Sequence, residues 1–145
     1  MAQSNIDKFD EIAGRIFADL YSSFPLRHPL GLHAYLDTPN VFDPDGFTGA
    51  ELTKDAEFVK STIEWLIHAD FISAGYFHGE YFTEVILTPK GLESLKLMPE
   101  SLTSPAGNQL TDAVKNGSKE TIKMLTNQIL AVGVKIAAQK YGLSS

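Results

Sequence analysis

A chain of 145 residues with 43% hydrophobic and 21% charged residues has the composition of one soluble globular domain with a single core. Because it contains no cysteine, disulfides and thiolate metal sites are excluded. The net charge of −6 is unevenly distributed: residues 1–105 carry 7 basic and 16 acidic side chains, whereas residues 106–145 carry 5 and 2. An acidic body therefore precedes a basic tail.

The sequence gives no sign of export or of membrane insertion. The first residues, MAQSNIDKFDEI, are polar and acidic, and lack the basic stretch and apolar run of a signal peptide. No segment approaches 18 consecutive apolar residues, the minimum for a spanning helix. We therefore expect a cytoplasmic protein without a membrane partner.

The first predicted element is an amphipathic helix from about Asn5 to Ser23. Ser4 or Asn5 is suited to cap its start, and Pro25 limits its end. Apolar residues recur at helical spacing and predict a wide buried side, formed by Ile6, Phe9, Ile12, Ala13, Ile16, Phe17 and Leu20.

The next 30 residues are rich in turn-forming residues. Prolines 25, 29 and 39 confine any helix to a short piece, for which Leu30 to Leu36 is the best candidate. The segment DTPNVFDPDGFTG is typical of consecutive turns. A second short helix is predicted from Thr48 to Thr53.

A second long helix is predicted from Asp55 to Ala69. Its apolar side contains Ala56, Val59, Ile63, Leu66 and Ile67, and is widened on one flank by Phe58, Thr62 and Trp65. Its solvent side, with Lys54 at the start, contains Glu57, Lys60, Ser61, Glu64 and His68.

A β-hairpin follows this helix. Two strands are predicted, Phe71–Phe77 and Tyr81–Thr88, joined by a three-residue tip of His78, Gly79 and Glu80 in which glycine allows a positive φ. Thr88 then caps a helix with Pro89 in its first turn, and Pro99 ends that helix.

The remaining chain is predicted to be a linker, residues 99–107, and a C-terminal amphipathic segment, residues 108–145. Its long helix runs from about Ser118 to Lys140, with apolar residues spaced as in a heptad seam: Ile122, Leu125, Ile129, Val132 and Ile136. This seam packs either on its own domain or on the same seam of a second copy, and a homodimer is the favoured alternative. Its lysine stripe, Lys115, Lys119 and Lys123, admits contact with anionic lipid as a minor alternative.

The block from Phe58 to Leu95 resembles the winged helix-turn-helix superfamily, in particular the MarR-type and PadR-type regulators. Three features carry the resemblance: Ser61-Thr62 leading into Trp65-Leu66, the strand entry Asp70-Phe71-Ile72, and the closing segment Leu87-Thr88-Pro89-Lys90-Gly91-Leu92. The resemblance implies an α+β winged-helix domain over residues 1–98, with the Asp55–Ala69 helix as recognition helix and the hairpin as wing. The preceding helix of the motif is then Leu30–Leu36 or Thr48–Thr53.

The charges on this stretch of sequence argue against nucleic acid as the main partner. From Glu51 to Lys90 there are 3 basic and 7 acidic residues, and the solvent side of the expected recognition helix has no arginine. DNA binding needs cations against phosphates and donors toward base edges. We therefore favour a non-catalytic, homodimeric regulatory module that contacts protein, with a dimeric DNA-binding transcriptional regulator as the alternative.

An enzyme or a metalloprotein is the weakest interpretation. The four histidines have no spacing typical of zinc ligands, and Asp43-Pro44-Asp45-Gly46 lacks the later ligands of a calcium loop. No nucleophile or phosphate-binding motif is present in the sequence. We expect no catalytic residue, metal or cofactor.

Overall fold

A computed structural model describes residues 3–38, 40–96 and 104–140. Over these residues the fold is α+β, as predicted, with five α-helices and a small antiparallel sheet of four short strands. In chain order the elements are α1 Asn5–Ser23, β1 His28–Gly31, a 3-10 helix Leu32–Tyr35, α2 Lys54–His68, β2 Ile72–Ser73, β3 Phe77–His78, β4 Tyr81–Leu87, α3 Pro89–Lys96, α4 Ala106–Asn116 and α5 Lys119–Lys140.

Helix α1 is the central element of the fold. Its start is fixed by Ser4, whose hydroxyl accepts a hydrogen bond from the Asp7 N–H at 3.1 Å, and it ends two residues before Pro25. The helix packs against α2, α4, α5 and β4, so most of its surface is covered. Phe17 is completely buried and meets the ring of Phe71 at 5.8 Å.

The predicted short helix from Leu30 to Leu36 is only half correct. Residues His28–Gly31 form strand β1, which pairs with β4, and the 3-10 helix follows it. The sheet order is β1-β4-β2, so β1 is an edge strand, where Pro29 costs no ladder hydrogen bond.

The predicted helix from Thr48 to Thr53 is wrong. Residues 43–51 form a loop closed by a β-bridge between Phe42 and Leu52, and its backbone is held by the Glu51 carboxylate, which accepts the Thr48 N–H. Thr53 belongs instead to the start of α2, since its hydroxyl accepts the Ala56 N–H at 3.2 Å. Thr53 is therefore the capping residue of α2 and not the last residue of a separate short helix.

The hairpin is confirmed, with two differences from its prediction. Its first strand is interrupted into β2 and β3, but the register is kept, because Ile72 pairs with Leu87 and His78 pairs with Tyr81. The turn has two residues instead of three, Gly79 and Glu80, and Gly79 has a φ of +65°. His78 therefore belongs to a strand.

Helix α3 begins as predicted. The Thr88 hydroxyl accepts the Gly91 N–H at 3.1 Å, and Pro89 occupies the first helical position. Its predicted end at Pro99 lies outside the described residues.

The tail differs most from its prediction. The expected linker reaches Gly107, but Ala106 and Gly107 are buried residues of α4, and residues 99–103 lie outside the described ranges. One tail helix was expected, and there are two, because Gly117 adopts a left-handed conformation with a φ of +69° between α4 and α5. Both helices pack on α1, so residues 108–140 share the core of the preceding residues.

Candidate interaction surface

The solvent side of α2 contains the candidate recognition residues. Lys54, Glu57, Ser61 and His68 are exposed, and Lys60 and Glu64 are partly buried. All six therefore lie on one accessible side of the helix, as the periodicity of the sequence indicates.

Two of the three lysines on and beside α2 contact other groups of the chain. The Lys60 ammonium lies 3.9 Å from the Glu64 carboxylate and 5.0 Å from the centre of the Phe77 ring. The Lys90 ammonium donates to the Ala69 carbonyl oxygen at the C-terminal end of α2 and lies 4.4 Å above the Phe71 ring. Lys54 lies in the first turn of α2. These cations are spread along the helix and do not form a cluster.

The other cations of the acidic body show the same behaviour. Lys8 contacts the Phe58 ring at 4.5 Å and the Asp55 carboxylate at 3.7 Å. The guanidinium groups of Arg15 and Arg27 donate to the carbonyl oxygens of Ala34 and Glu84. Five of the seven basic side chains within residues 3–96 thus contact rings, carbonyls or carboxylates of this chain, and a phosphate would have to compete with these contacts.

The hairpin turn is tied to the neighbouring edge of the sheet. The Glu80 carboxylate accepts the His33 N–H at 3.3 Å and lies 3.1 Å from Nδ1 of the same residue. The His33 ring meets the Tyr81 ring edge-on at 5.8 Å. This turn presents an acidic side chain and not the basic one that would follow a DNA backbone.

An apolar groove lies between the first turns of α1 and the middle of α2. We call it the Trp65 groove; it has a volume of about 430 Å³ and is lined by Asn5, Ile6, Phe9, Phe58, Ser61, Thr62 and Trp65. Trp65 is 49% exposed and Ile6 is 70% exposed, although both belong to apolar sides of their helices. The Trp65 ring stands edge-on against Phe9 at 5.2 Å, which fixes one wall.

Trp65 and Ile6 are the residues that the sequence assigned to the core and the structure exposes. A signal existed for Trp65, because it lies at the flank of the α2 apolar side, and for Ile6, because it lies in the first turn of α1. Each of these residues lies at the edge of the apolar side of its helix. The sequence did not reveal that these two edges lie next to each other in the folded protein.

A second cavity, of about 310 Å³, lies between α1, the 3-10 helix and the start of α2. Its lining is polar, and several of its charged groups already have partners: Lys8 with Asp55, Gln3 with Glu11, and Arg15 with a carbonyl. This second cavity is therefore a weaker candidate for a binding site than the Trp65 groove.

The expected dimer seam is corrected at three of its five positions. Ile122, Leu125 and Ile129 are at most 3% exposed within the single chain, because α5 packs against α1, α3 and α4. Val132 and Ile136 are partly buried. The heptad spacing therefore marks the side of α5 that completes the core, which the sequence had left as the alternative.

Two buried groups, Asp10 of α1 and Tyr35 beside this helix, have perturbed pKa values. Burial raises the pKa of the Asp10 carboxyl above its ordinary value of 3.8, and Asp7 adds to this, whereas Asn127 and Lys123 of α5 act in the opposite direction. Burial also raises the pKa of the Tyr35 phenol, which donates to the Asp19 carboxylate at 2.5 Å. Neither group faces the Trp65 groove, and both are explained by packing.

The described residues show no grouping of three or more histidine, aspartate or glutamate side chains that could hold a metal ion. None of their helices is long and apolar enough to cross a membrane.

No protein-family model matches the chain, and neither a curated protein nor a solved structure matches it. The resemblance to winged-helix regulators therefore stays a prediction, and the function has to be argued from the surface itself.

Proposed function

We propose that the chain is a non-catalytic winged-helix-type module that acts through contact between its Trp65 groove and another protein. The observation that carries this proposal is the exposure of a tryptophan and an isoleucine side by side in a preformed apolar groove. Exposed apolar patches of this kind are typical of interaction sites, and tryptophan is enriched among residues that dominate binding energy.

The order of elements supports the winged-helix part of the proposal. A helix, a strand, a second long helix and a hairpin follow one another, and the first strand pairs with the last strand of the hairpin. In this comparison α2 corresponds to the recognition helix. The short helix that would precede it is replaced by the 3-10 helix and the loop of residues 40–53.

The charge distribution supports protein over DNA as the partner. The helix that would enter the major groove exposes Glu57, and its lysines are spread along it or engaged by neighbouring groups. A transcriptional regulator remains the second candidate, because the element order would suit one. Fluorescence anisotropy with random duplex at about 150 mM salt separates the two, since we expect binding weaker than the ~10⁻⁴–10⁻⁶ M of ordinary non-specific binders.

Photo-crosslinking tests the proposed contact directly. Replacing Ser61 with p-benzoylphenylalanine places the reactive group in the Trp65 groove, and the same replacement of Tyr76, which is 67% exposed on the hairpin, is the control. We expect a covalent adduct with another protein from position 61 and not from position 76. Nucleic acid recovered at position 61, or equal adducts from both positions, contradicts the proposal.

Ile6→Ser and Leu26→Ser provide a matched pair for that experiment. The two side chains are 70% and 73% exposed and lie near opposite ends of α1, a helix of 19 residues that is about 28 Å long. Only Ile6→Ser removes a wall of the groove, so only this variant should suppress the adduct at position 61.

A further inference from the structure

We infer that the occupant of the Trp65 groove is an α-helical protein segment with aliphatic side chains on one side and lysine or arginine along its flank. This inference rests on the proposed function and deepens it by naming the chemistry of the partner.

The walls of the groove favour a helix as its occupant. Both walls are α-helices and neither is a sheet edge, so an extended peptide would find no strand to pair with. A helical segment needs no such partner, because its own backbone is satisfied. A partner is therefore expected to bind the groove through side-chain packing and not through strand addition.

The dimensions of the groove set the number of anchoring side chains. Phe58 and Trp65 lie two helical turns apart on α2, which corresponds to about 10 Å. A row of two or three aliphatic side chains spaced i, i+3 or i+4, and i+7 covers that distance on a partner helix. The groove volume of about 430 Å³ is consistent with this number of side chains.

The open shape of the groove disfavours a small ligand. Ile6 and Trp65 are 70% and 49% exposed and form walls without a roof. Small-molecule sites bury about 70–90% of their ligand, which an open groove between two helices does not achieve. A helix supplies the missing cover with its own body.

The charges beside the groove select basic flanks on the partner. Viewed down the axis of α2, Glu57 and Glu64 lie next to Ser61, on the side that faces away from α1. The nearby cations are held by groups of the chain itself: Lys60 lies 3.9 Å from the Glu64 carboxylate and over the Phe77 ring, and Lys8 lies near Asp55 and over the ring of Phe58, which lines the groove. Lys54 lies seven residues before Ser61, at the end of α2 nearest the loop of residues 40–53. A lysine or arginine beside the aliphatic row would thus meet the carboxylates of Glu57 and Glu64 next to Ser61.

Trp65 is the only tryptophan of the chain, so its emission reports on the groove without a label. Three synthetic peptides of about 15 residues serve as probes. The first has leucines at helical spacing with lysines elsewhere, the second replaces its lysines with glutamates, and the third has the composition of the first in scrambled order. None contains an aromatic residue.

We expect the leucine–lysine helix to shift Trp65 emission to shorter wavelength in a saturable way. The leucine–glutamate and scrambled peptides should bind at least about tenfold more weakly. Ile6→Ser should weaken the first peptide by a similar factor, and the matched Leu26→Ser should leave its binding unchanged. Glu57→Gln combined with Glu64→Gln should reduce both the affinity for this peptide and its salt dependence.

Each alternative result overturns a part of the inference. Equal binding of the glutamate peptide contradicts the basic flank, and equal binding of the scrambled peptide contradicts the helix. If no peptide shifts the emission while 1-octanol alone does, the groove is a small-ligand site. If position 61 still crosslinks to protein in that case, the proposed function survives and only the partner chemistry is wrong; if the crosslink also fails, both are wrong.

Discussion

Two apolar surfaces of this molecule differ in their exposure to solvent, and each differs from what its sequence pattern predicts. The heptad-spaced side of α5 has the pattern of an interface, and Ile122, Leu125 and Ile129 are buried in the core of their own chain. The first turn of α1 and the flank of α2 have the pattern of core, and Ile6 and Trp65 face solvent. Periodicity thus identifies which side of a helix is apolar, but not what covers it.

The difference arises from where each stripe lies along its helix. The α5 seam lies opposite the middle of α1, where Gly14 allows close approach: a Cβ at this position would lie 2.5 Å from Thr126 Oγ1 and 2.6 Å from Ile122 Cγ2. Ile6 belongs to the first turn of α1 and Trp65 to the edge of the α2 stripe, and both line the open Trp65 groove. The following predictions test this contrast.

Leu125→Asp combined with Ile129→Asp should have the largest effect and abolish cooperative unfolding. Truncating each buried side chain alone costs about 2–5 kcal/mol, and two buried carboxylates add a desolvation cost. Circular dichroism melts and light scattering measure the outcome, with Met124→Asp, at a 46% exposed position of the same helix, as control. A folded double variant that merely changes from dimer to monomer would show that the seam belongs to an interface.

Gly14→Ala tests the same packing through the sign of its effect. In a helix without neighbours, alanine is more stable than glycine by about 1 kcal/mol. Because the added methyl group would meet the stiff β-branched side chains of Thr126 and Ile122, we expect destabilisation by about 1–3 kcal/mol. Urea denaturation measures it, and an increase in stability would mean that α5 does not lie on α1.

Asp10→Asn should have a smaller and pH-dependent effect at the same interface. The folded protein holds the Asp10 proton more tightly than the unfolded chain, since its pKa is raised above 3.8. The stabilisation of the folded protein by protonated Asp10 is therefore fully present below pH 3.8. It is lost as pH rises through the raised pKa of the folded state. We expect the stability of Asp10→Asn relative to the original chain to increase from about pH 3 to about pH 7.

Denaturation at the two pH values decides that prediction. A relative stability that falls with increasing pH would mean that Asn127 and Lys123 stabilise the carboxylate more than burial penalises it.

Ile6→Ser should have the smallest effect on stability, within about 0.5 kcal/mol, as is usual for exposed positions. Ile12→Ser, on the same helix but 7% exposed, should cost several times more. Thermal melts of both variants measure the contrast. Comparable losses from the two variants would show that Ile6 is part of the core and that the groove is not open.

Much of the fold was predictable because it depends on local signals. Ser4 and Thr88 mark helix starts by hydroxyl capping, Gly79 marks the hairpin turn, and the spacing of Val59, Ile63 and Leu66 gives the buried side of α2. The errors concern residues whose state depends on distant partners. His28–Gly31 is a strand because β4 pairs with it, and Ala106 and Gly107 are buried because α4 packs on α1.

The candidate surface was predictable only in part. The acidic character of the exposed α2 side follows from Glu57 and Glu64 in the sequence. The Trp65 groove depends on the junction of Ile6 and Phe9 with Phe58 and Trp65, which are more than 45 residues apart in the chain. The engagement of Lys90 by the Ala69 carbonyl and the Phe71 ring likewise needs three-dimensional information.

Acrylamide quenching of Trp65 emission, followed as protein concentration is raised, tests the central claim most directly. If the groove is open and no second copy covers it, quenching is efficient and unchanged from about 1 μM to about 1 mM. Emission that is shielded from acrylamide at every concentration would show that the chain covers its own groove. Shielding that develops with concentration would show that a second copy, and not a partner helix, occupies it.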